Sequence, residues 1–188
     1  NGFLIASAEG YADSKYLIST NEETSADILL DKLYEVEIGF IPAASGVVEK
    51  ALVRFDGSKH SATALYPDLT TVKLIEDYYN VSVYVYKNSS LNFPGVTERK
   101  CVDVPKEGIG GFFGLEEERC FEVEIPEQEV AFAVVGGGRV AEYVTEDMLK
   151  KGKLSIKVPM YPTPGSLEEV QQNYIQIEDS SVYLEFVE

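Results

Sequence analysis

The chain has 188 residues, 45% of them hydrophobic, with 32 acidic residues against 16 basic ones and a formal net charge of −16. That charge excludes sequence-independent binding to DNA or RNA, which depends on Lys and Arg displacing counterions, and it excludes docking on anionic membranes. The apolar content suffices for a packed core, and no run of about 18 apolar residues is present to make a membrane-spanning helix.

A length of 188 residues suits one large β-sandwich or two small domains. The chain opens on Asn1 with no leader pattern, and is expected to be a mature product or a piece of a longer precursor. Residues 3–9 (FLIASAE) read as a strand broken by Gly10, with a turn over Tyr11 to Asp13. Lys15 to Thr20 is a second short strand, and Asn21 to Ser25 an acidic turn. From Ala26 to Ile41 an apolar run passes into alternation, with Leu33, Glu35 and Glu37 opposed to Tyr34, Val36 and Ile38.

A strand ending in Ala8-Glu9-Gly10-Tyr11, a short strand, and an acidic stretch leading into Asp27-Ile28-Leu29-Leu30 resemble the later strands of carboxypeptidase-regulatory-like domains. The resemblance covers residues 1–41 and implies a small transthyretin-like sandwich, carried by extracellular multidomain proteins and without catalysis of its own. The first strands of such a domain are missing here. Half a sandwich leaves unpaired edges, so these strands either belong to a fragment, join the following sheet, or receive a strand from another copy. The expected organisation is a partial sandwich over 1–41 and a β-rich domain over 42–188, with merger into one domain as the alternative.

Val47 to Phe55 is a strand, Asp56-Gly57 a hairpin signal, and Ser61 to Tyr66 its partner. The strongest strand signal is Val81, Val83 and Val85 alternating with Ser82, Tyr84 and Tyr86, valines to the core and tyrosine hydroxyls to water. With Val72 to Ile75 before a bend at Glu76-Asp77, residues 47–87 predict a meander of four strands. Asn88 to Gly95 reads as a polar loop, Cys101 to Val104 as a short strand, Lys106 to Gly114 as a glycine loop, Glu116 to Glu118 as an acidic turn, and Cys120 to Ile125 as a strand. Val130 to Val135 and Arg139 to Val144 form a hairpin through Gly136-Gly137-Gly138. Thr145 caps a helical turn ended by Gly152, and Leu154 to Val158 is a strand. Ser166 and Glu169 make a capping box, which predicts a helix over 167–173, with strands over 174–177 and 182–186. The predicted fold is mostly β, antiparallel sandwich in the transthyretin or immunoglobulin manner, with one or two short helices.

Cys101 and Cys120 are the only cysteines and predict a disulfide around the glycine loop. Asn80-Val81-Ser82 and Asn88-Ser89-Ser90 are N-glycosylation sequons, so covalent N-glycans are expected on Asn80 and Asn88. On one uninterrupted strand Asn80, Ser82, Tyr84, Tyr86 and Asn88 share a face, which must then point outward.

Catalytic patterns are weak. Gly108, Gly110, Gly111 and Gly114 spell no phosphate loop, and Phe112 and Phe113 at that tip read as core residues or a contact. Gly136 to Gly138 with Arg139 read as a turn rather than an anion nest. The acid groups Glu22-Glu23, Glu116-Glu117-Glu118 and Glu127-Glu129 read as solvated acids rather than glycosidase carboxylates. His60 has no nucleophile elbow to serve, and Asp56-Gly57 and Asp68 complete no calcium loop, so no cofactor is expected although the acidity invites Ca²⁺.

The expected function is a non-catalytic extracellular structural module of a surface layer, filament or stalk. It would associate with itself or with neighbouring domains, residues 3–9 (Phe3, Leu4, Ile5 and Ala6 foremost) or the C-terminal strand completing a neighbour's sheet. The alternative is a carbohydrate-binding accessory module, with Tyr66, Tyr78, Tyr79, Tyr84 and Tyr86 as stacking rings.

Overall fold

Alternation is what builds the centre of the molecule. In the computed structural model, which describes residues 2–19, 25–44, 46–93, 96–105, 116–125 and 128–188, the fourth strand β4 (Lys50–Gly57) lies antiparallel to β7 (Asp77–Phe93). Their register sets Ala51 against Val85, Val53 against Val83 and Phe55 against Val81. All six side chains are buried, because period-two spacing puts them on one side of the pleat. β5 (Ser61–Tyr66) and β10 (Gln128–Val144) complete the sheet in the order β10-β7-β4-β5.

The second sheet runs β12-β11-β3-β6, from β3 (Tyr34–Pro42), β6 (Thr71–Leu74), β11 (Lys153–Val158) and β12 (Tyr183–Phe186). Val36 and Ile38 of β3, Val72 and Leu74 of β6, and Leu154, Ile156 and Val158 of β11 join the valines of β7 in one buried cluster. Two sheets sharing inward faces make a sandwich, so the mostly β architecture is the observed one, with two short helices among the described residues. Not every pair is antiparallel: β3 and β11 run parallel, Leu154 beside Ile38 and Ile156 beside Phe40.

Several expectations fail for reasons of non-local pairing. Residues 47–87 are not one meander, since β6 leaves its neighbours in sequence and pairs with β3 in the other sheet. The hairpin signalled by Asp56-Gly57 does form, β4 pairing antiparallel with β5, with both residues inside β4 and the turn locked by the Gly57 amide donating to the His60 carbonyl at 3.1 Å. Residues 88–93 continue β7 instead of looping out, and 116–118 lie in β9 (Glu116–Ile125). Gly136 to Gly138 sit inside β10 rather than at a turn. There a Cβ on Gly137, at φ +139°, would meet the Val83 carbonyl oxygen at 2.1 Å, so close backbone approach is what demands glycine.

The helices are α1 (Glu146–Lys150), capped by Thr145, and α2 (Leu167–Asp179), capped by Ser166. Residues 174–177, expected as strand, belong to α2, whose buried Asn173 and Ile177 repeat at helical spacing. Asn173 donates its side-chain amide to the Val134 and Pro162 carbonyls at 2.8 and 3.1 Å, holding the helix to its sheet.

A boundary after Ile41 would cut β3. The chain divides otherwise, into one compact unit of residues 1–88 with 132–188 and a second of residues 89–131. Within the second unit β8 (Val96–Pro105) and β9 pair antiparallel from Val96 with Ile125 to Pro105 with Glu116.

Candidate functional site

The N-terminal hairpin stands apart from the two sandwich sheets. β1 (Gly2–Ala6) pairs antiparallel with β2 (Ser14–Ile18), Phe3 opposite Leu17, Leu4 opposite Tyr16 and Ile5 opposite Lys15. This two-stranded sheet has no further strand among the described residues. Cross-strand partners share a face, so Phe3, Ile5 and Leu17 crowd one side and Leu4, Tyr16 and Ile18 the other. Phe3, Ile5 and Leu17 are 62, 66 and 60% exposed. The Lys15 ammonium covers the Phe3 ring at 3.9 Å, a partial shield over apolar surface.

What holds the hairpin is its turn. The Ala12 amide donates to the Asp31 carbonyl at 2.8 Å and the Leu33 amide to the Gly10 carbonyl at 2.9 Å, while Ala12 is buried in the core. Gly10 takes φ +79°, the left-handed region this reversal uses. Residues 25–33 form no strand of their own, and Leu29 is fully in water. The strands of the hairpin therefore extend from an anchored base, with Phe3, Leu4, Ile5, Tyr16 and Leu17 exposed and no third strand on either edge among the described residues.

A second surface lies on the β10-β7-β4-β5 sheet. Lys50, Leu52, Leu65, Tyr66, Asp68, Tyr86 and Phe132 line an open cleft of about 300 Å³. Tyr66 packs edge-on against Phe40, and burial pushes the Tyr86 hydroxyl pKa up. The Lys50 ammonium sits 4.3 Å over the Phe132 ring. Tyr84, on the same strand face as Tyr86, accepts a hydrogen bond from Arg139 at 3.4 Å. The five tyrosines therefore do not form one platform: Tyr66 and Tyr86 share the cleft, Tyr78 is exposed elsewhere, and Tyr79 is fully buried. The Tyr79 hydroxyl is held by the backbone of Ile75, at 3.2 Å both as donor and as acceptor. Phe132 and Lys50 escaped the sequence reading, although Lys50 stands opposite Tyr86 in the register.

The sequon asparagines Asn80 and Asn88 are both exposed on β7. Cys101 and Cys120 face each other in the β8–β9 register and are joined by a disulfide. The glycine loop with Phe112 and Phe113, and the Glu22-Glu23 pair, lie outside the described residues, as does Glu127. His60 rests its Nε2 at 2.9 Å from the Lys73 carbonyl. Among the described residues the one grouping of metal-type ligands is Cys101, Glu118 and Cys120, whose two sulfurs are spent on each other. Calcium takes about 6–8 oxygens, so that grouping does not suit it.

No protein-family profile, no curated protein and no solved structure matches this chain. No helix among the described residues is long and apolar enough to cross a membrane.

Proposed function

We propose that this chain is a non-catalytic structural module of an extracellular or cell-surface protein, a unit of a filament or layer that assembles by strand complementation through β1. One observation carries the reading: a hairpin apolar on both faces, with no third strand among the described residues. Isolated two-stranded hairpins are marginal in water, and exposed apolar edges are the natural receptor for an added strand. The Cys101–Cys120 disulfide fits an oxidising compartment, and the exposed Asn80 and Asn88 fit N-glycans there. The resemblance of residues 1–41 to transthyretin-like surface domains agrees with the same setting.

Negative-stain electron microscopy of native material, before any denaturant or reductant, tests it. Regular fibres or a lattice are expected. Monodisperse single particles at every protein concentration would sink the reading.

A second reading is supported by the cleft, where Tyr66, Tyr86 and Phe132 meet Lys50 and Asp68. Aromatic rings beside polar groups suit a sugar, so a carbohydrate-binding accessory module is the alternative. Glycan-array binding abolished by Tyr86→Ala would favour it, and an array without hits would remove it.

A further inference from the structure

We infer that the partner of β1 is β1 of a second copy, paired antiparallel across a two-fold axis through Leu4. This rests on reading β1 as the assembly strand and goes further by naming its occupant and register.

The occupant must be a strand. β1 hydrogen-bonds to β2 alone among the described residues, so half of its backbone N–H and C=O groups face outward without a protein partner there. A helix or an apolar ligand would cover the side chains and leave those groups unmet.

Of the described outer strands, β1 alone is left unguarded, β8 and β9 both being charged. Gly2-Phe3-Leu4-Ile5-Ala6 carries no charge and no proline. β2 holds Lys15, β6 holds Lys73 and β12 holds Glu185. β5 is uncharged, but its edge folds back on itself: Leu65 and Leu69 exchange both backbone hydrogen bonds, at 2.9 and 2.6 Å. β10 is bridged at Gly136 by Met160 and at Arg139 by Ser181. Charges, prolines and covering turns are how proteins blunt sheet edges, and β1 has none of them.

The pattern of side-chain sizes points to a second copy. Read in either direction, β1 runs small, large, large, large, small. Antiparallel pairing about Leu4 sets Gly2 against the partner's Ala6, Phe3 against the partner's Ile5, and Leu4 against the partner's Leu4. Small residues meet small ones, and neither β1 carries a charge, although the Lys15 ammonium of β2 covers the Phe3 ring. That matters for a chain of net charge −16, whose copies repel wherever their surfaces are acidic. The two hairpins then merge into one four-stranded sheet, with Leu17, Phe3 and the partner's Ile5 continuous on one face. The other face carries Tyr16, Leu4 and the partner's Leu4. Such an interface is isologous and closes on a pair, so fibres would be built from dimers through a further contact.

A single cysteine reads the register directly. The two native cysteines are bonded to each other, so in Leu4→Cys the new thiol is the only free one. Directly opposed residues bring Cβ atoms to about 4.5–5.5 Å, a small strand adjustment from the about 3.5–4.5 Å that a disulfide spans. Under mild oxidation of the full chain, Leu4→Cys should form covalent dimers at least about tenfold faster than Phe3→Cys. Phe3→Cys mixed with Ile5→Cys should bridge efficiently. Leu4→Lys should leave a monomer in sedimentation velocity with an unchanged melting temperature.

Equal bridging at residues 3, 4 and 5, or none, in material that still assembles would overturn the two-fold pairing and leave strand assembly standing. A monomer with protected β1 amides in hydrogen exchange would overturn both, since the edge would then be satisfied within the chain.

Discussion

Asp77 shows how much one buried carboxylate organises. Although 8% exposed, it accepts hydrogen bonds from the Ser58 hydroxyl at 2.8 Å and from the Lys59 and Tyr78 amides at 3.0 and 2.8 Å. Burial pushes its pKa up, but the bonds from Ser58 and the backbone amides outweigh that and hold it below the ordinary carboxylate value. A depressed pKa stabilises the fold above the ordinary value of about 4, and that increment is lost as pH falls through the folded pKa. Asp77→Asn should cost about 1–3 kcal/mol near neutrality, the worth of charge-assisted bonds, and the gap to wild type should narrow near pH 3. Urea unfolding at the two pH values measures both. None of this was legible in the residues alone. Asp77 read as part of a bend, and nothing in its neighbours announced that Ser58 and Lys59 would fold back onto it.

Glycine offers a matched pair at the same scale. Gly10 and Gly137 both take positive φ, yet a Cβ at Gly10 meets nothing within 4 Å while one at Gly137 strikes the Val83 carbonyl. Gly10→Ala should cost about 1 kcal/mol for the left-handed backbone alone. Gly137→Ala should cost more than about 3 kcal/mol and reduce soluble yield, since β10 must move off β7. Thermal melts of the two variants separate strain from collision.

Among the elements, the legible ones carry their pattern locally. The valines of β7 announced their buried face, Thr145 and Ser166 announced the starts of the two helices, and Gly152 the end of α1. The illegible ones take their form from a neighbour far along the chain. Three glycines read as a turn, but β10 runs straight through them because residues 159–161 and 180–182 supply hydrogen bonds there, as from the Tyr161 amide to the Val135 carbonyl at 2.7 Å. The β8–β9 hairpin of residues 89–131 has its own staple. With a separation of 19 residues, the Cys101–Cys120 bond is worth about 3 kcal/mol by loop-closure entropy. Reduction should therefore raise amide exchange in β8 and β9 and leave β4 and the central part of β7 protected.

At the scale of the whole molecule the net charge of −16 sets the balance between solubility and association. Self-repulsion works against both the compact state and contact between copies. Raising salt from about 10 mM to about 500 mM shortens the screening length from about 30 Å to under 10 Å. The melting temperature should rise by a few degrees, and the sedimentation coefficient should shift toward the associated form. A fall in association with salt would mean that the contact is made by opposite charges rather than by uncharged β1. The candidate hairpin was visible in the sequence as a short apolar strand near the chain start, and so were Cys101, Cys120, Asn80 and Asn88. The cleft was only half visible, because Phe132 and Lys50 join Tyr66 and Tyr86 through pairing across strands.

By itself, the sequence determined what depends on near neighbours: that the chain is mostly strand, which face of β7 is apolar, and where the helices begin. Only the tertiary structure decided which strand lies beside which, that β3 and β11 run parallel, and that β6 deserts its hairpin neighbours. It also decided that β1 and β2 stand outside both four-stranded sheets. The physical reason is that period two reports burial but not partner. A strand's hydrogen bonds are directed sideways, to groups that the chain brings together only after it has folded.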